Sequence, residues 1–153
     1  MIRVQEAPFD VGAELAALSA GRTDIGAIAS FVGLVRDQAG EQATLAMTLE
    51  HYPGMTEKKL AEIEAEARAR WPLQACLIVH RYGRMLPGEP IVLVATASQH
   101  RAAALDACAF LIDWLKTQAP FWKLEETPED AAAAPRWVEA RETDERAAAR
   151  WRR

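Results

Sequence analysis

The stretch from Ser98 to Pro120, SQHRAAALDACAFLIDWLKTQAP, constrains the fold more than any other part of the chain. It has no internal Gly or Pro, so the spacing predicts one helix from Gln99 to about Thr117, with Ser98 as cap and Pro120 as stop. Leu105, Cys108, Leu111, Ile112 and Leu115 recur at helical intervals and form the expected apolar stripe. The flanks read as strands: Ile91 to Ala97 before the helix and FWKLEE after it.

The remaining elements follow the same logic. Ile2–Gln5 alternates as a short strand, Val11 to Ala20 has helical spacing that stops at Gly21, and Ile25 to Val35 reads as a buried strand emerging at Arg36. The polar DQAGEQ then suggests a hairpin flanked by Val35 and Leu45, with Thr44 to His51 as its second strand. Thr56 is placed to cap a charged-faced helix that Pro72 ends after Trp71. Cys76 to Val79 is a further strand, joined to Ile91–Ala97 by the turn MLPGEP. TPEDAAAAP is a loop, RWVEAR a short strand, and Glu142 to Trp151 a terminal helix. Paired strands mixed with separate helices, and little βαβ alternation, indicate an α+β fold with a mixed or antiparallel sheet and flanking helices.

At 153 residues the chain is expected to form a single domain, 1–153, with one core. Its net charge of −4 argues against an extended basic face, and so against nucleic-acid or anionic-membrane binding. The N-terminal MIRVQEAPFD lacks the apolar segment of a signal peptide, and no apolar run reaches the roughly 20 residues of a spanning helix. A cytoplasmic location is expected. Cys76 and Cys108 read as buried thiols, because no second thiol or histidine sits at ligand spacing, and no metal site is expected. Phosphate-binding, nucleophile-elbow and zinc-protease signatures are absent.

What stands out is cationic. His100 and Arg101 fall in the first turn of the long helix, where the macrodipole favours an anion and the side chains could join free N–H groups in clamping a phosphate. Arg36 leaves an apolar strand at its end. Lys116 sits in the last helical turn, where a cation is favoured anyway. Lys123 follows Phe121 and Trp122, and a lysine partly desolvated there could serve as a general acid or base. His51 and His80 read as strand residues rather than ligands.

"FVGLVR", "LEHYPGMTEKKLAEI", "HRAAALDACAFLIDWLKTQAPFWKLE" and "RWVEAR" resemble, in order and over nearly the whole chain, the large catalytic subunits of molybdopterin synthase, the MoaE family. The resemblance implies an α/β hammerhead fold and a sulfurtransferase without a cofactor of its own. It implies insertion of two sulfurs into a cyclic pyranopterin monophosphate, giving the dithiolene of molybdopterin. It also implies a homodimer within a heterotetramer, whose small ubiquitin-like subunits carry the sulfur as a C-terminal glycine thiocarboxylate. Carried over, the catalytic positions are Lys116 and Lys123. The substrate-binding ones are Leu34, Val35, Arg36, His100, Arg101, Lys116, Lys123, Leu124, Glu125 and Arg141. Leu124 stands where a basic residue can occur, and the EDAAAAP loop is longer than the family's, which bears on Arg141.

A helix separates two of these groups. His100 and Lys116 are 16 residues apart, about 24 Å along the axis and about 160° around it, too far for one pterin monophosphate. If both serve one substrate, His100 and Arg101 must complete the site of the other subunit. The competing reading is a non-catalytic module that holds a ubiquitin-like tail by its carboxylate. A phosphate-binding acyl or phosphoryl transferase would need an activated Ser or Cys, and none is evident.

Overall fold

In the computed structural model, which describes residues 1–37, 43–128, 136–138 and 142–152, the two apolar runs around the predicted turn become central strands. These are β4 (Leu73–Arg81) and β6 (Pro90–Ser98), paired antiparallel. They are flanked by β1 (Ile2–Gln5), parallel to β4, and by β2 (Ala27–Leu34), antiparallel to β6, so the order is β1-β4-β6-β2. Both faces of the central pair are covered, which is why these strands read as continuous apolar runs. On one face Leu77, Val79, Leu93 and Ala95 meet Leu15 and Leu18 of α1 (Val11–Ser19). On the other, Ile78 and Val94 pack with Leu60 and Ile63 of α2 (Met55–Arg70) and Phe110 and Leu111 of α3 (Arg101–Gln118).

A second sheet runs β5-β3-β7-β8, built from β5 (Gly83–Met85), β3 (Ala46–His51), β7 (Phe121–Glu126) and β8 (Arg136–Val138), all antiparallel. The last element, α4 (Glu142–Ala149), lies against α3. Asp113 of α3 holds the chain just beyond it, accepting from Trp151 Nε1 at 2.8 Å and pairing with Arg150 at 2.7 Å. The α+β reading holds. No helix among the described residues is long and apolar enough to cross a membrane.

Five expectations need correction. Val35 and Leu45 do not flank a hairpin: β2 pairs with β6 and β3 with β5 and β7, so this connection carries the chain from one sheet to the other. Nor is β2 buried throughout, because as an edge strand it leaves Ile28, Ser30 and Leu34 exposed. Thr56 does not cap α2. It lies inside the first turn, where its hydroxyl donates to the Tyr52 carbonyl, while the cap is Gly54, at φ 83°, whose N–H donates to Glu57 at 2.7 Å. Ser98 likewise spends its hydroxyl on the Pro72 carbonyl at 2.8 Å, and His100 occupies the cap of α3 without a side-chain capping bond. Leu105 is 59% exposed; the buried stripe of α3 is Ala104, Ala107, Cys108, Leu111 and Leu115, with Phe110.

Candidate functional site

Residues two apart on a strand share a face, and the register of β3 against β7 turns this rule into a wall. His51 opposes Phe121, Leu49 opposes Lys123 and Met47 opposes Glu125. Phe121, Lys123 and Glu125 therefore point with Met47 and Leu49 into a cleft of about 540 Å³. Leu34, Val35 and Arg36, at the end of β2, form the opposite side, and the last turn of α3 brings Leu115 and Lys116 between them. Thr143 and Asp144 of α4 complete the rim.

The charges are arranged unequally. Lys123 Nζ lies 3.0 Å from Glu125 Oε1 on the same face of the strand, with side chains 36% and 16% exposed. Lys116, exposed at the helix end, makes no ion pair among the described residues. Trp122 and Leu124 alternate to the other side of β7, and Trp122 is 46% exposed, so Phe121 alone of that aromatic pair faces the cleft.

Beneath these cations sits His80, from the end of β4, only 5% exposed. Its ring stacks on Phe121 at 3.7 Å and 16° between planes, and its Nδ1 is 2.8 Å from the Arg81 carbonyl. Burial first, then the neighbouring charges of His51 and Lys116, push its pKa down from 6.5 to about 4, against the opposing pull of the Arg81 carbonyl. The imidazole is neutral at physiological pH.

Comparison with known proteins gives this cleft its setting. The family model described as MoaE protein matches residues 4–118, which include Arg36 and Lys116 and stop short of Lys123. The chain belongs to the MoaE family. It is 58% identical over 150 residues to the molybdopterin synthase catalytic subunit of Pseudomonas aeruginosa, covering 98% of this chain and 97% of that one. The solved structure of a molybdopterin biosynthesis MoaE protein from Burkholderia ambifaria superposes with a TM-score of 0.83 at 54% identity, covering 99% and 97% of the two chains. A complex of subunits 1 and 2 of molybdopterin-converting factor from Helicobacter pylori shares the fold, with TM-score 0.71 at 21% identity over 92% and 90%. As a member of this family the chain is an enzyme subunit.

Of the residues singled out in the sequence, the MoaE cleft gathers Leu34, Val35, Arg36, Lys116, Lys123 and Glu125. Leu124 is turned away on β7, and His100 and Arg101 are exposed at the far end of α3. Arg141 lies outside the described residues. Sequence reasoning set His80 aside because apolar neighbours marked only a strand. Nothing local shows that β4 ends under the last turn of α3. Cys76 and Cys108 are free and buried, as expected, with burial raising their thiols to about 12 and about 11.

Proposed function

We propose that this cleft is the sulfur-transfer site of a molybdopterin synthase catalytic subunit, acting in the cytoplasm on a cyclic pyranopterin monophosphate. The observation that carries the reading is the convergence of Arg36, Lys116 and Lys123 on one cleft in a MoaE family member. The sulfur donor is the thiocarboxylated C-terminal glycine of a small ubiquitin-like subunit, whose extended tail enters the cleft; the subunit complex named for the Helicobacter pylori relative supports such a partner. Two buried free thiols fit a reducing compartment.

Each side chain then has a physical task. Arg36 offers fixed positive charge to the cyclic phosphate, with bidentate geometry that water does not supply. When the thiocarboxylate sulfur attacks the pterin side chain, a C–S bond forms and a C–O bond breaks, and Lys116 or Lys123 donates a proton to the departing oxygen. Water next cleaves the resulting thioester through a tetrahedral oxyanion that an ammonium stabilises, leaving sulfur on the pterin and a carboxylate on the partner. Glu125 holds Lys123 in place between the two rounds. Phe121, Met47 and Leu49 limit water in the cleft.

His100 and Arg101 act on the same substrate from the other subunit of a homodimer, itself the centre of a heterotetramer. The length of α3 supports this: 18 residues put its two ends about 27 Å apart. Lys116→Ala and Lys123→Ala should each abolish most dithiolene formation while keeping the fold and partner binding. Arg101→Ala mixed with Lys116→Ala should recover activity once subunits exchange, because one of the two clefts then carries neither lesion. Near-normal turnover of both lysine variants would overturn the catalytic assignment, and continued inactivity after exchange, verified by mass spectrometry, would overturn the composite site.

A further inference from the structure

We propose that His80 is a positioning residue for Lys116: the lone pair of its Nε2 accepts a hydrogen bond from the Lys116 ammonium and holds that amine in the cleft. The tautomer follows from geometry. Nδ1 sits 2.8 Å from the Arg81 carbonyl oxygen, and since a carbonyl only accepts, Nδ1 carries the hydrogen and donates. In the neutral ring Nε2 is then a bare acceptor. The ring is pinned by that bond and by the stack on Phe121 at 3.7 Å. It is 5% exposed, it lines the cleft, and its Nε2 has no hydrogen-bond partner among the described residues.

Nε2 is not among the fully enclosed atoms that lack a partner, so this acceptor opens to the cleft, where a rotation of the exposed Lys116 side chain brings its ammonium within reach. The cleft also carries the donors Arg36 and Thr44, but Lys116 is the lining donor whose charge bears on the His80 ring. Lys123 is engaged by Glu125 at 3.0 Å, whereas Lys116 lines the same cleft and makes no ion pair among the described residues. Around the ring, β1 and β6 contribute apolar Val4 and Val92 as register partners, and β7 contributes Phe121. The charged and titratable neighbours that bear on it are Lys116 of α3 and His51 of β3. His51 is occupied elsewhere. The Thr56 hydroxyl gives its hydrogen to the Tyr52 carbonyl, so the 3.1 Å contact of His51 Nδ1 with Thr56 Oγ1 has the histidine as donor. The depressed basicity of His80 keeps it an acceptor while Lys116 is charged.

A lysine at a helix end has four rotatable bonds, and one fixed acceptor removes much of that freedom before substrate arrives. The consequence for turnover rests on Lys116 being catalytic as proposed above; the contact itself does not. The test therefore has two arms, both on the assembled enzyme with its partner subunit. In long-range proton–nitrogen spectra of the histidine rings, His80 should show the Nδ1–H tautomer with Nε2 shifted by hydrogen bonding, and Lys116→Met should return that nitrogen to its free position. In turnover, His80→Phe keeps the aromatic stack and should lower kcat about tenfold or more with KM within about twofold, and His80→Gln should restore most of it. An Nε2 resonance unmoved by Lys116→Met overturns the contact, even if His80→Phe proves poorly folded. Unchanged kcat in a folded His80→Phe, alongside an inactive Lys116→Ala, overturns the positioning role. An active Lys116→Ala would instead defeat the catalytic reading, with the spectra still deciding the contact.

Discussion

Replacing His80 with Gln should change how the stability of the protein depends on pH. In the unfolded chain the imidazole titrates near its ordinary 6.5, whereas in the folded one it is held to about 4 by burial and by the charges of His51 and Lys116. Between those values the unfolded state binds a proton that the folded state refuses, so folding loses stability as pH falls through this window. From about pH 7.5 to about pH 5 the loss attributable to His80 is about 2 kcal/mol, rising towards about 3 kcal/mol near pH 4. The carboxylates also titrate at the acid end, so the quantity to measure is the difference between wild type and His80→Gln. Urea unfolding at fixed protein concentration, repeated every half unit of pH, gives it directly. The variant carries no such linkage, and the gap should shift in its favour by about 2 kcal/mol at the lower pH. A gap constant to about 0.5 kcal/mol would mean that His80 is not held neutral by its surroundings, and the tautomer argument would fall with it.

Arg36→Ala should raise KM for the pterin with a smaller effect on kcat, and an unchanged KM in steady-state assays would remove its phosphate role. At Gly26 an added Cβ would run into the backbone oxygen of Gln99, so Gly26→Ala should cost about 1–3 kcal/mol in thermal unfolding and displace the start of α3. Phe110, fully buried between Trp71 and Trp114, should cost about 3–5 kcal/mol as Ala in urea unfolding. Cys76 and Cys108, held near 12 and 11, should resist iodoacetamide at neutral pH in the native protein and label fully in urea, as mass spectrometry would report.

Local signals carried most of the fold. The run from Arg101 to Gln118 has no breaker and forms the helix expected of it, and the apolar runs in β4 and β6 are central strands because both their faces are covered. Pairing was harder to read. Val35 and Leu45 flank a segment with hairpin character, yet β3 finds its partners in Gly83–Met85 and Phe121–Glu126, far along the chain, and no local rule encodes that choice. Caps failed for a related reason: the hydroxyls of Ser98 and Thr56 have longer-range or backward acceptors in Pro72 and Tyr52. In the site, Lys123 was legible from its place after Phe121 and Trp122, whereas Glu125 came only through the family resemblance and its pairing with Lys123 shows in the strand register. His80 was not, since its significance comes from where β4 ends relative to α3 and β7.

The length of α3 has a genetic consequence on the shared-site reading. With Arg101 at its first residue and Lys116 in its last turn, one polypeptide contributes to two clefts and fully owns neither. A copy lacking Lys116 alone spoils one cleft of a mixed dimer, and a copy lacking Arg101 alone spoils the other, so either is masked in part by a normal copy. A copy lacking both spoils its own cleft with one lesion and its neighbour's with the other. Such an allele would be dominant over wild type in every mixed dimer it enters, although each lesion by itself is not.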